Sequence, residues 1–227
     1  MEKLNIGERV RLKNNQVLVV NKPPGLPVQP DATGDTSLYE LAKAYAKSEL
    51  HLTHRLDRPT SGLVLFAKKK PGLADLQRQF AEGKVKKVYL AVVAKALPAE
   101  SGELQHYLHR DGRRKKAYVV KAGSEGAKAA TLTYKLVGQS ERYYCYELVP
   151  RQGRFHQIRA QLAAAGSPIK GDVKYGARRA NKDRSIGLHA RSLTFVQPIS
   201  HERVTVHAAP PDEALWRALV DFKPLTD

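Results

Sequence analysis

A chain of 227 residues with 39 Lys and Arg against 22 Asp and Glu carries a formal charge of +17, and 42% of it is hydrophobic. That apolar content suffices for one sizeable core and excludes a disordered chain. No stretch approaches the roughly 18–20 apolar residues of a bilayer span, no apolar run follows the N-terminal residues, and the single cysteine, Cys145, cannot form an internal disulfide. These features describe a one-domain chain, expected to be cytoplasmic, monomeric and without membrane association. The charge points to a polyanionic partner, most simply nucleic acid. Basic residues concentrate at 68–70, at Lys84, Lys86 and Lys87, across 110–116 and around 178–184.

The first apolar run, 16–20, reads as a buried strand entering the Pro23-Pro24-Gly25 turn. Ser37 and Glu40 have the spacing of a capping box, and Leu38, Leu41, Ala42 and Tyr45 then share one helical face. A strand at 63–66 precedes a helix opened by Pro71, with Leu73, Leu76 and Phe80 inward and Gly83 as its stop. From Val85 the period changes to two, predicting strands over 88–93, 118–120, 131–137 and 143–149. A short helix from about Phe155 ends at Gly166, with Ile158 and Leu162 on one face. Strands at 193–196 and 204–207 follow, then a helix near Asp212 burying Leu215, Leu219 and Phe222. Helices interspersed among strands without regular βαβ alternation predict an α+β fold: a mixed, mainly antiparallel sheet, flanking helices and a central cleft.

Several chemistries fail for want of residues. Gly166 and Gly171 have a phosphate-loop gap, but Asp172-Val173 stands where Lys-Ser/Thr is required. There is no GxGxxG turn and no nucleophile elbow around Ser61. His51, His54 and Asp57, or His106 and His109, lack the companions of a metal site, so no metal is expected. Cys145, in an alternating strand, reads as a small buried hydrophobe.

Two segments place polar groups where packing does not ask for them. In HRLDRPTSG (54–62) one carboxylate, Asp57, sits between Arg55 and Arg58 beside a core strand. Neighbouring arginines keep such a carboxylate ionised, fit to be a nucleophile or base. Spacing alone equally allows Asp57 to cap backbone N–H groups in a turn. In GRFHQIR (153–159), Arg154, His156 and Arg159 crowd donors near a helix N-terminus, which favours anions. Between them KVYLA (87–91) carries Tyr89, which by alternation faces either core or cleft.

HRLDRPTSG, KVYLA and GRFHQIR…GSPIKGDVKYG, in this order, resemble the signature blocks of the RluA-type pseudouridine synthases. VNKPPG (20–25) and LHA (188–190) extend the resemblance over about 13–210. It implies the pseudouridine synthase fold, an RNA substrate (ribosomal or transfer RNA), isomerisation of uridine to pseudouridine, and no cofactor. It makes Asp57 the essential aspartate, Tyr89 the tyrosine stacking on the target uracil, and Arg159 the basic partner of the aspartate. Ile158 becomes the apolar residue beneath the base, and Arg55 the arginine filling the gap left by a flipped nucleotide. Within the same blocks His54, Arg58, Arg154, His156 and Gln157 are candidate RNA contacts, as are Arg113, Arg114, Lys115 and Lys116 in the basic run. The sequence departs from common family usage at Phe155, Gln161 and Gln197. With about a dozen residues ahead of the first match, no accessory S4 domain is expected.

The chemistry suits this set. Breaking N1–C1′ and joining C5 to C1′ needs no redox partner or group donor. A carboxylate nucleophile can attack C1′ or the base, or assist at C2′. An aromatic lid and apolar floor retain the detached uracil, and a wedge offsets the cost of extrusion. A non-catalytic RNA-binding protein retaining the fold would explain the charge equally, but predicts decay at Asp57 or Tyr89, and both are present. A nucleoside hydrolase would want a second carboxylate or a metal.

Overall fold

The structure is a computed structural model and describes residues 4–220; the packing expected of Phe222 lies outside them. In chain order its elements are β1 (Val10–Lys13), β2 (Val17–Lys22), α1 (Leu38–Ala46), β3 (His51–Leu52), β4 (Ser61–Ala67), α2 (Lys70–Ala81), β5 (Lys86–Val93), β6 (Ser101–Asp111), β7 (Lys116–Val120), β8 (Lys128–Gln139), β9 (Tyr144–Pro150), α3 (Gln157–Ala164), β10 (Leu188–Val196), β11 (Arg203–His207) and α4 (Ala214–Leu219). This is the expected α+β fold, dominated by antiparallel strand pairs. The chain forms two compact units, one of 4–87 with 190–211 and one of 88–189 with 212–220.

In the first unit the strand order is β1-β2-β4-β10, with β3 on β4 and β11 on β10. β4 is buried along its whole length, so its sequence is a continuous run of small and apolar residues without alternation. The β2–β4 register runs from Val17 opposite Ala67 to Lys22 opposite Gly62. Val17, Val19, Leu63 and Leu65 then meet Leu76 of α2 and Phe195 of β10 in one core. α1 begins at the expected capping box: Ser37 Oγ accepts from Glu40 N–H, and Glu40 Oε2 accepts from Ser37 N–H. Gly62 (φ +115°) follows the Asp57 loop, and any Cβ there would fall 2.4 Å from the main chain of Ala190.

The second unit orders its strands β5-β9-β8-β6-β7. Its core joins Ala91, Val93, Leu132, Tyr146 and Leu148 of the strands to Ile158 and Leu162 of α3. α3 closes as the glycine at 166 predicts: Gly166 N–H donates to Ala163 O and Ser167 N–H to Leu162 O, the paired bonds of a Schellman end. On the other side Trp216 and Leu219 of α4 pack on Leu90, Val92 and the fully buried Cys145.

The structure adds β1, β3 and the eleven-residue β6, which the period did not reveal. β6 has a single buried residue, Leu108, so polar residues stand on both of its faces. β10 starts at Leu188, five residues before the apolar run suggests, and α3 starts at Gln157 because His156 is left-handed (φ 52°).

Candidate active site

The loop 53–60 is fixed from both ends. Thr53 Oγ1 donates to Leu65 O (2.7 Å), and His54 Nε2 accepts from Leu65 N–H (3.1 Å), so two side chains continue the β3–β4 pairing. An accepting Nε2 makes His54 the Nδ1–H tautomer, and its ring lies 5.0 Å from Phe80. Burial, aided by repulsion from Lys87, pushes its pKa down to about 3, so His54 is neutral and its ring nitrogen is spent on the backbone. At the far end Thr60 N–H donates to Asp57 O in a tight turn.

Beneath this loop lies Lys22, with no exposed surface. Its Nζ donates to the carbonyls of Pro23 (2.9 Å), Leu26 (2.9 Å) and Arg58 (3.1 Å), tying the Pro-Gly turn to the residue after Asp57. Burial lowers the Lys22 pKa to about 7, opposed by attraction from Asp57 and aided by repulsion from Arg58. Arg58 itself turns to the 25–35 segment. It donates to Gly25 O (2.9 Å), Thr33 Oγ1 (3.1 Å) and Asp35 Oδ2, and that contact holds the Asp35 carboxyl below its usual range. Asp57 is half-buried and Arg55 exposed. Sequence reasoning gave Lys22 no role of its own; the signal was a lysine closing an apolar strand directly before Pro-Pro-Gly.

In the second unit Tyr89 of β5 stands opposite Leu148 and packs, half-buried, against the cluster that contains Ile158. An aromatic face and an apolar floor are thus in one cluster. One residue on, Arg159 is 5% exposed and pairs with the buried Asp172: Nε to Oδ2 at 2.7 Å and NH2 to Oδ1 at 2.8 Å. Such a bidentate fork fixes the guanidinium plane. Asp172 is the second residue whose role spacing did not reveal. Its Arg159 contact is thirteen residues distant and depends on the turn after α3.

Around Arg159, His156 Nε2 lies 3.2 Å from NH1 and Nδ1 2.9 Å from Tyr175 Oη. Tyr175 Oη also accepts from Ala117 N–H (2.8 Å). Phe155, the first departure from family usage, stacks on His156 (3.8 Å between ring centroids), and the Arg110 guanidinium lies 4.6 Å from its ring centroid, a cation–π contact. Gln157 is buried: Oε1 accepts from Arg154 N–H and Nε2 donates to Thr131 O, which spends both ends on the backbone. Arg154 is exposed, with Nε reaching Ala129 O. Gln161, the second departure, donates from Nε2 to Leu104 O and Ala130 O and so locks α3 over β6 and β8. Arg113, Arg114 and Lys115 are exposed at the β6–β7 turn, where Asp111 Oδ1 accepts from Arg114 N–H; Lys116 begins β7.

The Asp57 loop lies in one unit, and the Tyr89–Ile158 cluster and the Arg159–Asp172 pair lie in the other. The chain belongs to the RNA pseudouridylate synthase family, whose family model matches residues 16–164, and it converts uridine in RNA to pseudouridine. It is 32% identical over 227 residues to ribosomal large subunit pseudouridine synthase C of Escherichia coli (strain K12), covering 94% of this chain and 70% of that protein. The same enzyme of Buchnera aphidicola subsp. Schizaphis graminum is 31% identical over 215 residues, 91% of this chain and 68% of the relative. Among solved structures, human RNA pseudouridylate synthase domain containing 4 superposes with a TM-score of 0.76 at 26% identity, covering 91% of this chain and 90% of that one. Human RNA pseudouridylate synthase domain containing 1 gives 0.78 at 25% identity, covering 96% and 91%.

Proposed function

We propose that this enzyme isomerises particular uridines in structured RNA, with Asp57 as nucleophile and the target nucleotide flipped out of its stack. The observation that carries the reading is the Lys22 clamp. Three main-chain hydrogen bonds from a buried lysine hold the loop that presents the one carboxylate in the HRLD block. A nucleophile must meet its target atom within a fraction of an ångström, and misplacement by about 1 Å costs on the order of a hundredfold in rate. Tyr89 supplies a stacking face for the uracil, worth about 1–3 kcal/mol per base. Ile158 is the floor beneath it. Arg55, exposed on the Asp57 loop, takes the vacated place in the RNA stack. Arg159, always protonated, provides the fixed cation of the family's chemistry.

The reaction balances without a co-reactant: N1–C1′ breaks, C5–C1′ forms, C5 gives up its hydrogen and N1 gains one. No cofactor or metal enters this scheme. The names of the relatives favour large-subunit ribosomal RNA as the first substrate to test, with transfer RNA second. The experiment is to map pseudouridines in RNA from cells with and without the gene, then restore each missing site with purified protein. A set of uridines modified only in its presence supports the reading, and identical maps overturn it.

A further inference from the structure

The basic segment 174–184 is not needed for the chemistry above, yet it is built with care. It carries five exposed cations, Lys174, Arg178, Arg179, Lys182 and Arg184, and one carboxylate, Asp183. Asp183 is already engaged, Oδ1 accepting from both Ser185 N–H (3.0 Å) and Ser185 Oγ (2.7 Å). An ordinary solvated charge run is not anchored at both ends, and this one is. At its start Tyr175 is buried, with Oη accepting from Ala117 N–H and its ring under the Lys116 ammonium at 4.9 Å. The segment therefore begins on the β6–β7 hairpin that carries Arg113, Arg114 and Lys115. At its end Asn181 accepts from Lys170 Nζ (2.6 Å) and donates to Ser185 Oγ (3.0 Å). Gly171 (φ +84°) permits that docking, since a Cβ there would lie 2.7 Å from Ser185 O and 2.8 Å from Asn181 Cγ.

The geometry points to 174–184 as a preformed phosphate-binding loop that continues the basic face of the β6–β7 hairpin and grips the RNA backbone away from the target uridine. The inference rests on RNA being the substrate. The partner is the sugar-phosphate chain of folded RNA: arginine forks match phosphate, and a loop ordered before binding forfeits less entropy on contact. Because the segment starts two residues after Asp172, the partner of Arg159, and its Tyr175 touches His156, backbone grip is linked to the residues that orient Arg159.

The test measures binding of a transcribed, unmodified stem-loop RNA of about forty nucleotides over a range of salt, for the full chain. The triple variant Arg178→Gln, Arg179→Gln, Lys182→Gln should bind at least about tenfold more weakly near 0.1 M salt, and its log K against log[salt] slope should flatten by about 2–3. Asn181→Ala keeps every cation but unties the loop; it should bind several-fold more weakly with the slope of the wild type. Circular dichroism melts confirm that each variant is folded. A wild-type slope in the folded triple variant overturns the phosphate-binding role, and wild-type affinity in Asn181→Ala overturns preorganisation. Pseudouridine formation by the wild type on unmodified total RNA is scored in parallel. If it is absent while the slopes behave as stated, the catalytic reading fails and this surface stands.

Discussion

Lys22 and Arg159 are both cations buried inside their own unit, and they are stabilised by opposite means. Lys22 is surrounded by carbonyl dipoles of Pro23, Leu26 and Arg58, whereas Arg159 faces a full carboxylate, Asp172, through two parallel hydrogen bonds. Dipoles leave the lysine's proton negotiable, and burial draws its pKa to about 7. The guanidinium keeps its charge at any working pH. The comparison shows a division of labour. One cation holds main chain, and so shapes the loop of Asp57; the other holds a side-chain plane, and so aims its own charge.

The largest effect should come from breaking the carboxylate pair. Asp172→Asn or Arg159→Ala breaks a buried, hydrogen-bonded ion pair by removing one partner, at about 3–5 kcal/mol. Urea denaturation should show that loss, and single-turnover rates should fall at least about a hundredfold through misplacement. For Arg159→Ala raising the pH from 7.5 to 9 should not restore activity, while Arg159→Lys should recover part of it. Full recovery at pH 9 would mean that ionisation, not geometry, was the larger effect.

Next comes the carbonyl-held lysine. Lys22→Met takes the ammonium from the carbonyls of Pro23 and Leu26 and leaves that of Arg58 with Gly25 N–H alone; it should cost about 1–3 kcal/mol, with activity lost at unchanged RNA affinity because the nucleophile's loop loosens. Activity and affinity falling together would move Lys22 from positioning to substrate binding. The same lysine gives a pH signature. Its folded pKa lies below its unfolded value, so between about 7 and 10.5 the unfolded chain binds the extra proton and stability rises with pH. Relative to Lys22→Met, wild-type stability should gain on the order of 1–3 kcal/mol from pH 7 to 9. Parallel curves for the two proteins would show that carbonyls and Asp57 keep the ammonium fully charged.

The smallest effect on stability belongs to the exposed hairpin. Changing Arg113, Arg114 and Lys115 to Gln should shift stability by no more than about 0.5 kcal/mol. It should still flatten the salt dependence of RNA binding; an unchanged slope would leave this turn a solvated face.

Local signals were legible. The Ser37–Glu40 box, Pro71, the continuous apolar β4 and the glycine after α3 each act within one turn or one strand, and each is where the pattern puts it. The residue pattern marked Asp57, Tyr89 and Arg159 as candidates, and the family blocks gave them and Ile158 their roles by resemblance. What escaped depends on long-range register. Lys22 is buried because β2 pairs with β4 down to Gly62, and its place before Pro-Pro-Gly marks a turn without showing that three carbonyls converge on its ammonium. Arg58 looks like a neighbour of Asp57 in sequence, but the backbone turns its guanidinium to Asp31 and Asp35. β6 was missed because only Leu108 is buried along it, so no two-residue apolar period marks it.

The central claim is that the carboxylate on the Lys22-held loop performs the chemistry. Asp57→Asn is nearly isosteric and leaves the clamp's three carbonyls in place. Assayed under single-turnover conditions on RNA that the wild type modifies, it should form no detectable pseudouridine while binding that RNA with wild-type affinity. Pseudouridine formation within tenfold of the wild-type rate would contradict the account.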